Sequence, residues 1–442
     1  MIFSLDVRRA RKGDCLLVHF GTKEKPGLIM IDGGPKDVYK PQLKPRLDQI
    51  RAARELSNQD SLPVDVLMVS HVDDDHIQGI LDLTKEERIA KDAHRPRMLN
   101  VQSFWHNSFD DIIGHEPTEL TASFKTHFGP AAVSGGGELD DGLIAEIENK
   151  SAEDEEVVGS SLKVLASIEQ GFRLRGDSEA LGYPRNREFG GKLIMAQPEG
   201  KTASVGNGLK LTVIGPMQPE LKDLFEKHQQ WLEQLKKQGK APADALAAYV
   251  DKSIPNLSSI VVLAESDGKS MLLTGDARGD KVLEGLQMVG RLQAGKTSKM
   301  NLDLVKVPHH GSANNLAEDF FERLVAKHYV FSGNGEHGNP ERETMGMLLA
   351  ARGHGDYQIH LTYPVDEIDI EREKDWNKER NKEIARKAKK IRQEWSPQTN
   401  SLGAFLDDNP EFKKQIRVVE AGKAHVINLS DPLNSAWSAL ET

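Results

Sequence analysis

Apolar and polar positions alternate or cluster along this chain in a way that predicts strands first and helices second. SLDV and CLLVHF are two extended segments broken at Gly13-Asp14, and PGLIMIDGG is an apolar run ending in a tight Asp-Gly-Gly turn. Residues 41–57 carry a helical pattern. VDVLMVS at 64–70 is an unbroken run of β-formers, as expected for a strand covered on both faces. LNVQSFW at 99–105 and LKLTVIGP at 209–216 read as further strands. LSSIVVLAES and KSMLLTGDA form a strand pair around Asp267-Gly268. LDLVKVPHHGS is another buried strand running into a polar loop. Residues 316–327 read as a helix, HYVFSG as a strand, GEHGNPERETMGMLLAAR as loop and helix, and QIHLTY as a strand. The alternation of strands and helices predicts an α/β chain. No repeat of fixed period is present.

Composition narrows this picture. A length of 442 residues with 38% apolar content allows a large elaborated domain with a real core. The single cysteine, Cys15, excludes an internal disulfide and a cysteine-based zinc site. The N-terminus lacks a signal-peptide pattern and no run is long enough to span a bilayer, so a cytoplasmic setting without a membrane partner is expected. The formal net charge of −10 argues against a generic polyanion-coating protein. That charge is unevenly spread. Residues 138–156 hold nine acids against one Lys, and 372–392 hold ten Lys/Arg against four acids in a sequence with strong helix propensity. The first stretch reads as part of a solvated insertion. The second, flanked by Trp376 and Trp395, reads as a solvated or partner-facing helix or as a nucleic-acid contact. Ser134 to Gly137 reads as a flexible loop.

The densest chemical signal is His71-Val72-Asp73-Asp74-Asp75-His76, at the end of a predicted buried strand. Neighbouring carboxylates repel one another unless a cation neutralises them, and imidazole with carboxylate suits Zn, Mn or Fe. Three weaker signals also follow strands: Thr274-Gly275-Asp276, His309-His310-Gly311-Ser312, and His337-Gly338-Asn339-Pro340. One metal site drawing on all four accounts for their shared placement at strand ends. His94, His106 and His115 are near the first signal only in sequence, and His106, directly after a strand, merits inspection.

SHVDDDHIQG is similar to the HxHxDH metal motif of the metallo-β-lactamase fold, with Asp73 in place of the second His. Together with LIMIDGG, Asn256-Leu257-Ser258-Ser259, LLTGDA and VKVPHHGS, it resembles the metallo-β-lactamase-like domain of ComEC-type DNA-internalisation proteins and their soluble relatives. The motifs keep family order across about residues 13–340. The resemblance implies an αββα sandwich of two packed mixed sheets over 1–365, with insertions at about 106–205 and 218–252 and a C-terminal extension over 366–442 that could hold a protein partner. It also implies a dinuclear site and hydrolysis by a metal-bound hydroxide. By the resemblance, His71 and Asp73 serve one metal, Asp75 and His76 the other, and Asp276 bridges them. Asp32, Asn256, Ser312 and Asn339 stand behind the ligands. His309 and His337 are further ligand candidates, and Asp75, His309 and His310 are the catalytic candidates. Asn256 and Asn339 stand where the family usually has His. The carboxylate-rich set shifts preference towards Mn or Mg relative to a pure imidazole site, and two divalent ions are expected, Zn or Mn with Mg as a further option. The expected activity is that of a phosphodiesterase or nuclease acting on nucleic acid or a small phosphodiester. The alternatives are hydrolysis of a small substrate such as a cyclic nucleotide or lactone, and a non-catalytic regulatory module that retains the fold.

Overall fold

The computed structural model describes residues 1–107, 170–219, 221–222, 258–385, 387–388, 390–437 and 440. Asn256, Ser134 to Gly137, His115, the acidic stretch 138–156 and most of both predicted insertions lie outside them. Sixteen strands are present among the described residues. The first sheet is built from β1 (Ile2–Val7), β2 (Leu16–Gly21), β3 (Pro26–Ile31), β5 (Val66–Met68), β7 (Phe104–Trp105) and β16 (Val426–Asn428), in the order β16-β1-β2-β3-β5-β7. The second contains β8 (Thr202–Gly206), β9 (Leu209–Gly215), β10 (Val261–Ser266), β11 (Lys269–Leu273), β12 (Met300–Lys306), β13 (Leu324–Phe331), β14 (Gln358–Leu361) and β15 (Ile416–Val418), side by side from β15 to β8. A small parallel pair joins β4 (Leu62–Val64) to β6 (Leu99–Val101).

Each sheet is mixed. In the first, β1, β2 and β3 run antiparallel while β3, β5 and β7 run parallel. In the second, β8 to β11 are antiparallel and β11 to β15 parallel. The strand alternation read from sequence decides which face each side chain covers. Leu16, Val18 and Phe20 of β2, with Ile29 and Ile31 of β3, meet Leu211, Val213, Val262, Ala264 and Met271 of the other sheet in the central core. Their neighbours Leu17, Leu28 and Met30 face outward onto helices α1 (Lys44–Ala53) and α2 (Asp74–Asp92). On the far side, Leu272, Val305, Tyr329 and Phe331 pack with helices α3 (Gly279–Met288), α4 (Arg342–Arg352), α5 (Val365–Ala385) and α6 (Leu402–Asp408). The result is an α/β sandwich of two packed mixed sheets with helices on both outer faces.

The β10–β11 hairpin turns at Asp267-Gly268 as expected, with φ of 52° and 71° at the two corner residues. Two readings needed correction. The helix expected over 316–327 shrinks to Phe320–Arg323, because parallel pairing with β12 already begins at Leu324. The helical pattern of 372–392 stops at Ala385. The chain then returns, placing Trp395 against Trp376 with ring centroids 5.9 Å apart and Arg392 on Glu383. Residues 366–442 also do more than extend the domain, since they supply β15 to one sheet and β16 to the other.

One close approach positions the site. The Asp32-Gly33-Gly34 turn after β3 lies directly against the first turns of α2, with Gly33 N donating to His76 O and Gly79 N to Gly34 O. A Cβ on Gly33 would lie 2.5 Å from the Ile80 nitrogen, and one on Gly79 would overlap the Gly33 carbonyl. Gly79→Ala is therefore expected to cost about 2–3 kcal/mol through backbone displacement, although alanine is the better helix former. A denaturant midpoint equal to or above that of the parent chain would contradict this contact.

Candidate metal centre

The four motifs converge. Ser70 and His71 follow β5, Asp73 precedes α2, and Asp75 and His76 occupy its first turn. Asp276 follows β11, while His309 and His310 follow β12. Parallel strands with their C-terminal ends on one edge place these loops together. Asp74 turns away, accepting from Gln78 and Gln170. Asp32, His309 and His310 hold left-handed backbone, with φ of 58°, 46° and 55°. Such conformations cost a non-glycine residue about 1–2 kcal/mol each, so packing around the site must hold them there.

Three clusters among the described residues have candidate atoms within 4.8 Å of one another: His71, Asp73 and Asp75; Asp75, His76, Asp276 and His310; and, behind these, the fully buried Asp14, Asp32 and His76. The Asp276 carboxylate lies between the first two. Its Oδ1 is 3.3 Å from His76 Nε2 and 3.2 Å from His310 Nε2. Its Oδ2 is 3.9 Å from His71 Nε2 and 3.8 Å from His309 Nε2.

The hydrogen bonds behind the rings fix which nitrogen carries the proton. Ser70 Oγ donates to Asp32 Oδ2 at 2.6 Å and therefore accepts from His71 Nδ1 at 3.1 Å. His76 Nδ1 donates to Asp32 Oδ2 at 2.8 Å. Ser332 Oγ donates to Asp14 Oδ1 and accepts from His310 Nδ1 at 3.0 Å. In the neutral rings all three Nε2 atoms consequently present lone pairs. They are buried without a hydrogen-bond partner among the described residues, as is Asp276 Oδ1. Buried acceptors aimed at acceptors are costly unless a cation sits among them. These residues thus fit a divalent metal.

The electrostatics agree. Burial favours a neutral Asp276 carboxyl, but His310, His76 and His309 hold it well below the usual carboxylate range. Burial also opposes a charged His76, yet Asp276 and Asp32 raise it well above an ordinary histidine. His71 is pushed well below the usual value by burial and by neighbouring His76.

His309 differs from the other three. It is partly exposed, and Asn315 Nδ2 donates to its Nδ1 at 2.7 Å, which leaves the proton on Nε2, the nitrogen facing Asp276. It is the donor at the rim, while His310 is the buried acceptor. Asp32 stands behind the ligands. Ser312 binds Glu341 instead of a ligand, at 3.1 Å. Asn339 is buried in the turn beside Gly335. His337 is exposed, next to α5, and belongs to none of the clusters found among the described residues. His106 is buried, stacked on Phe104 with ring centroids 5.7 Å apart, and is likewise outside them.

Sequence reading did not single out Asp14, Lys306, Ser70, Ser332 or Asn315 for the site. Lys306 is fully buried, 2.6 Å from Asp14 Oδ2 and within 3.3 Å of the Gly275 carbonyl. It ties the support of His310 to the turn that carries Asp276. A lysine inside the apolar run LDLVKVP was the available signal.

No family model matches the sequence. Over 137 residues the chain is 29% identical to microtubule-associated protein 1A of Rattus norvegicus and 28% identical to that of Homo sapiens. The aligned part is 30% of this chain and 5% of each of those. ComE operon protein 3 of Bacillus subtilis (strain 168) is 29% identical over 100 residues, 22% of this chain and 12% of that one. The chain thus matches only a small part of each relative's length.

Proposed function

We propose that the chain is a metal-dependent hydrolase of the metallo-β-lactamase type, acting on phosphodiesters at a dinuclear centre. One observation carries this reading: the two oxygens of Asp276 address different imidazole pairs, as a carboxylate shared between two cations would. The similarity to ComE operon protein 3 supports the relation to ComEC-type chains.

His71, Asp73 and Asp75 would hold one ion, and Asp75, His76 and His310 the other, with one oxygen of Asp276 facing each side. When bound, such a pair of divalent ions supplies a water acidified towards neutral pH and positive charge for a developing oxyanion. The protein's own work is orientation and proton handling. Asp32 and the Ser70 and Ser332 hydroxyls keep the three ligand rings in one tautomer. His309 Nε2–H at the rim is placed to protonate a leaving oxygen. The carboxylate-rich set favours Mn, with Zn and Mg next. Nucleic acid or a small phosphodiester is the expected substrate.

Metal analysis of protein purified without chelator, with assays on bis-p-nitrophenyl phosphate, single-stranded and duplex DNA and RNA in Mn, Zn or Mg, tests the proposal. We expect stoichiometric metal and turnover. Absence of metal, together with no binding of added Mn or Zn, would sink it. Tight binding without turnover on any substrate would instead favour a non-catalytic module. The similarity to chains named for microtubule association is the observation on that side.

A further inference from the structure

Away from the metal centre, three imidazoles stand in a hydrogen-bonded file. His328 Nδ1 on β13 is 3.0 Å from His360 Nε2 on β14, and His360 Nδ1 is 2.8 Å from His425 Nε2. His360 is buried, and its neighbours are half-buried. The file crosses between the sheets. His425 immediately precedes β16, its carbonyl accepts from Val7 N at 2.9 Å, and its ring reaches back to the second sheet. The segment 416–428 therefore pairs with β14, turns, and pairs with β1, and the imidazole file fastens its middle.

We propose that this file is a proton-operated latch on residues 416–428. The argument is a proton count. Each N···N gap holds one proton, so two gaps and two outer nitrogens accommodate four protons. Three neutral imidazoles already carry three. The closed file accepts one more, and a fifth proton would put two into a single gap and break it. An opened segment has no such limit, since three free imidazoles each gain a proton near pH ~6.5.

The surrounding charges are mixed. Asp303 on β12 favours a charged His328 and Lys327 opposes it. Arg417 on β15 opposes charge on His360. Asp6 on β1 favours charge on His425, and Arg8 after β1 opposes it. Burial is the larger influence and disfavours charge on all three rings. The sign follows: the closed state binds fewer protons than the open one, so closure weakens as pH falls below ~6.5. Once the free imidazoles are charged the difference is at least two protons, so the opening constant rises about 100-fold or more per pH unit below that pH.

Hydrogen exchange of peptides spanning 416–430, corrected for intrinsic rates, reads this directly between pH 7.5 and 5. The expected result is a steep rise in opening with acid, while β2 and β3 stay protected. His328→Leu leaves one gap, which removes one proton from the difference and makes the slope about 10-fold shallower per pH unit. His425→Gln serves the same purpose if that variant does not fold. A flat opening constant in the parent protein, or an unchanged slope in the variant, would overturn the latch.

Discussion

Asp276→Ala is expected to lower turnover of a phosphodiester by about 10³-fold or more, equivalent to ~4 kcal/mol of transition-state stabilisation. The two oxygens of this carboxylate face different imidazole pairs. Its loss removes a member of the Asp75, His76, Asp276 and His310 cluster, and with it the negative charge that also faces His71 and His309. Asp276→Asn separates these effects, because it keeps the shape but removes the charge. Both variants should lose bound metal, as read by elemental analysis, while their circular dichroism stays that of the parent. Full turnover in Asp276→Ala would remove the central element of the proposed site.

Lys306→Met should have the largest effect on stability, about 3–5 kcal/mol. Neither partner of the Lys306–Asp14 pair touches solvent appreciably. Burial pushes the Asp14 carboxyl up, and Lys306 followed by His310 brings it below the usual range. Without the ammonium, Asp14 is a buried charge relying on Ser332 and His310. The double variant Lys306→Met/Asp14→Asn removes both charges and should recover at least half of the loss. Denaturant unfolding of both proteins checks this. Equal stability of the single variant and the parent would show the pair to be dispensable.

The extent to which the site could be read from sequence follows from physical range. The candidate ligands were legible because they crowd: His71, Asp73, Asp75 and His76 lie within six residues, and repulsion among the carboxylates favours a cation. Strand ends were legible because apolar runs stop where loops begin, which placed Asp276 and His310. The polar groups that fix the rings were not. Asp14, Ser70, Ser332 and Asn315 are ordinary turn residues until the topology brings β1–β2, β5, β12 and β13 to one edge. His309 and His310 show the same limit. Nothing in the dipeptide tells which ring turns inward; two consecutive left-handed residues decide it. The fold's layers followed from alternation. The stretch 316–327 was misread because local helix propensity competes with pairing to β12, a partner distant in sequence.

The pairing of β16 with β1 also bears on how the chain is made. Ser4 Oγ donates to Asn428 across 424 residues of sequence. On the ribosome, β1 emerges long before β16, because 424 residues separate the paired Ser4 and Asn428. Throughout that interval β1 presents unpaired amides and carbonyls on one side, a template for any extended segment nearby. The loops of the candidate site, from Asp14 to Ser332, are all synthesised before β16 can close the sheet. The candidate site can thus assemble while the first strand is still open, so the exposure of that edge to wrong pairing occurs during translation.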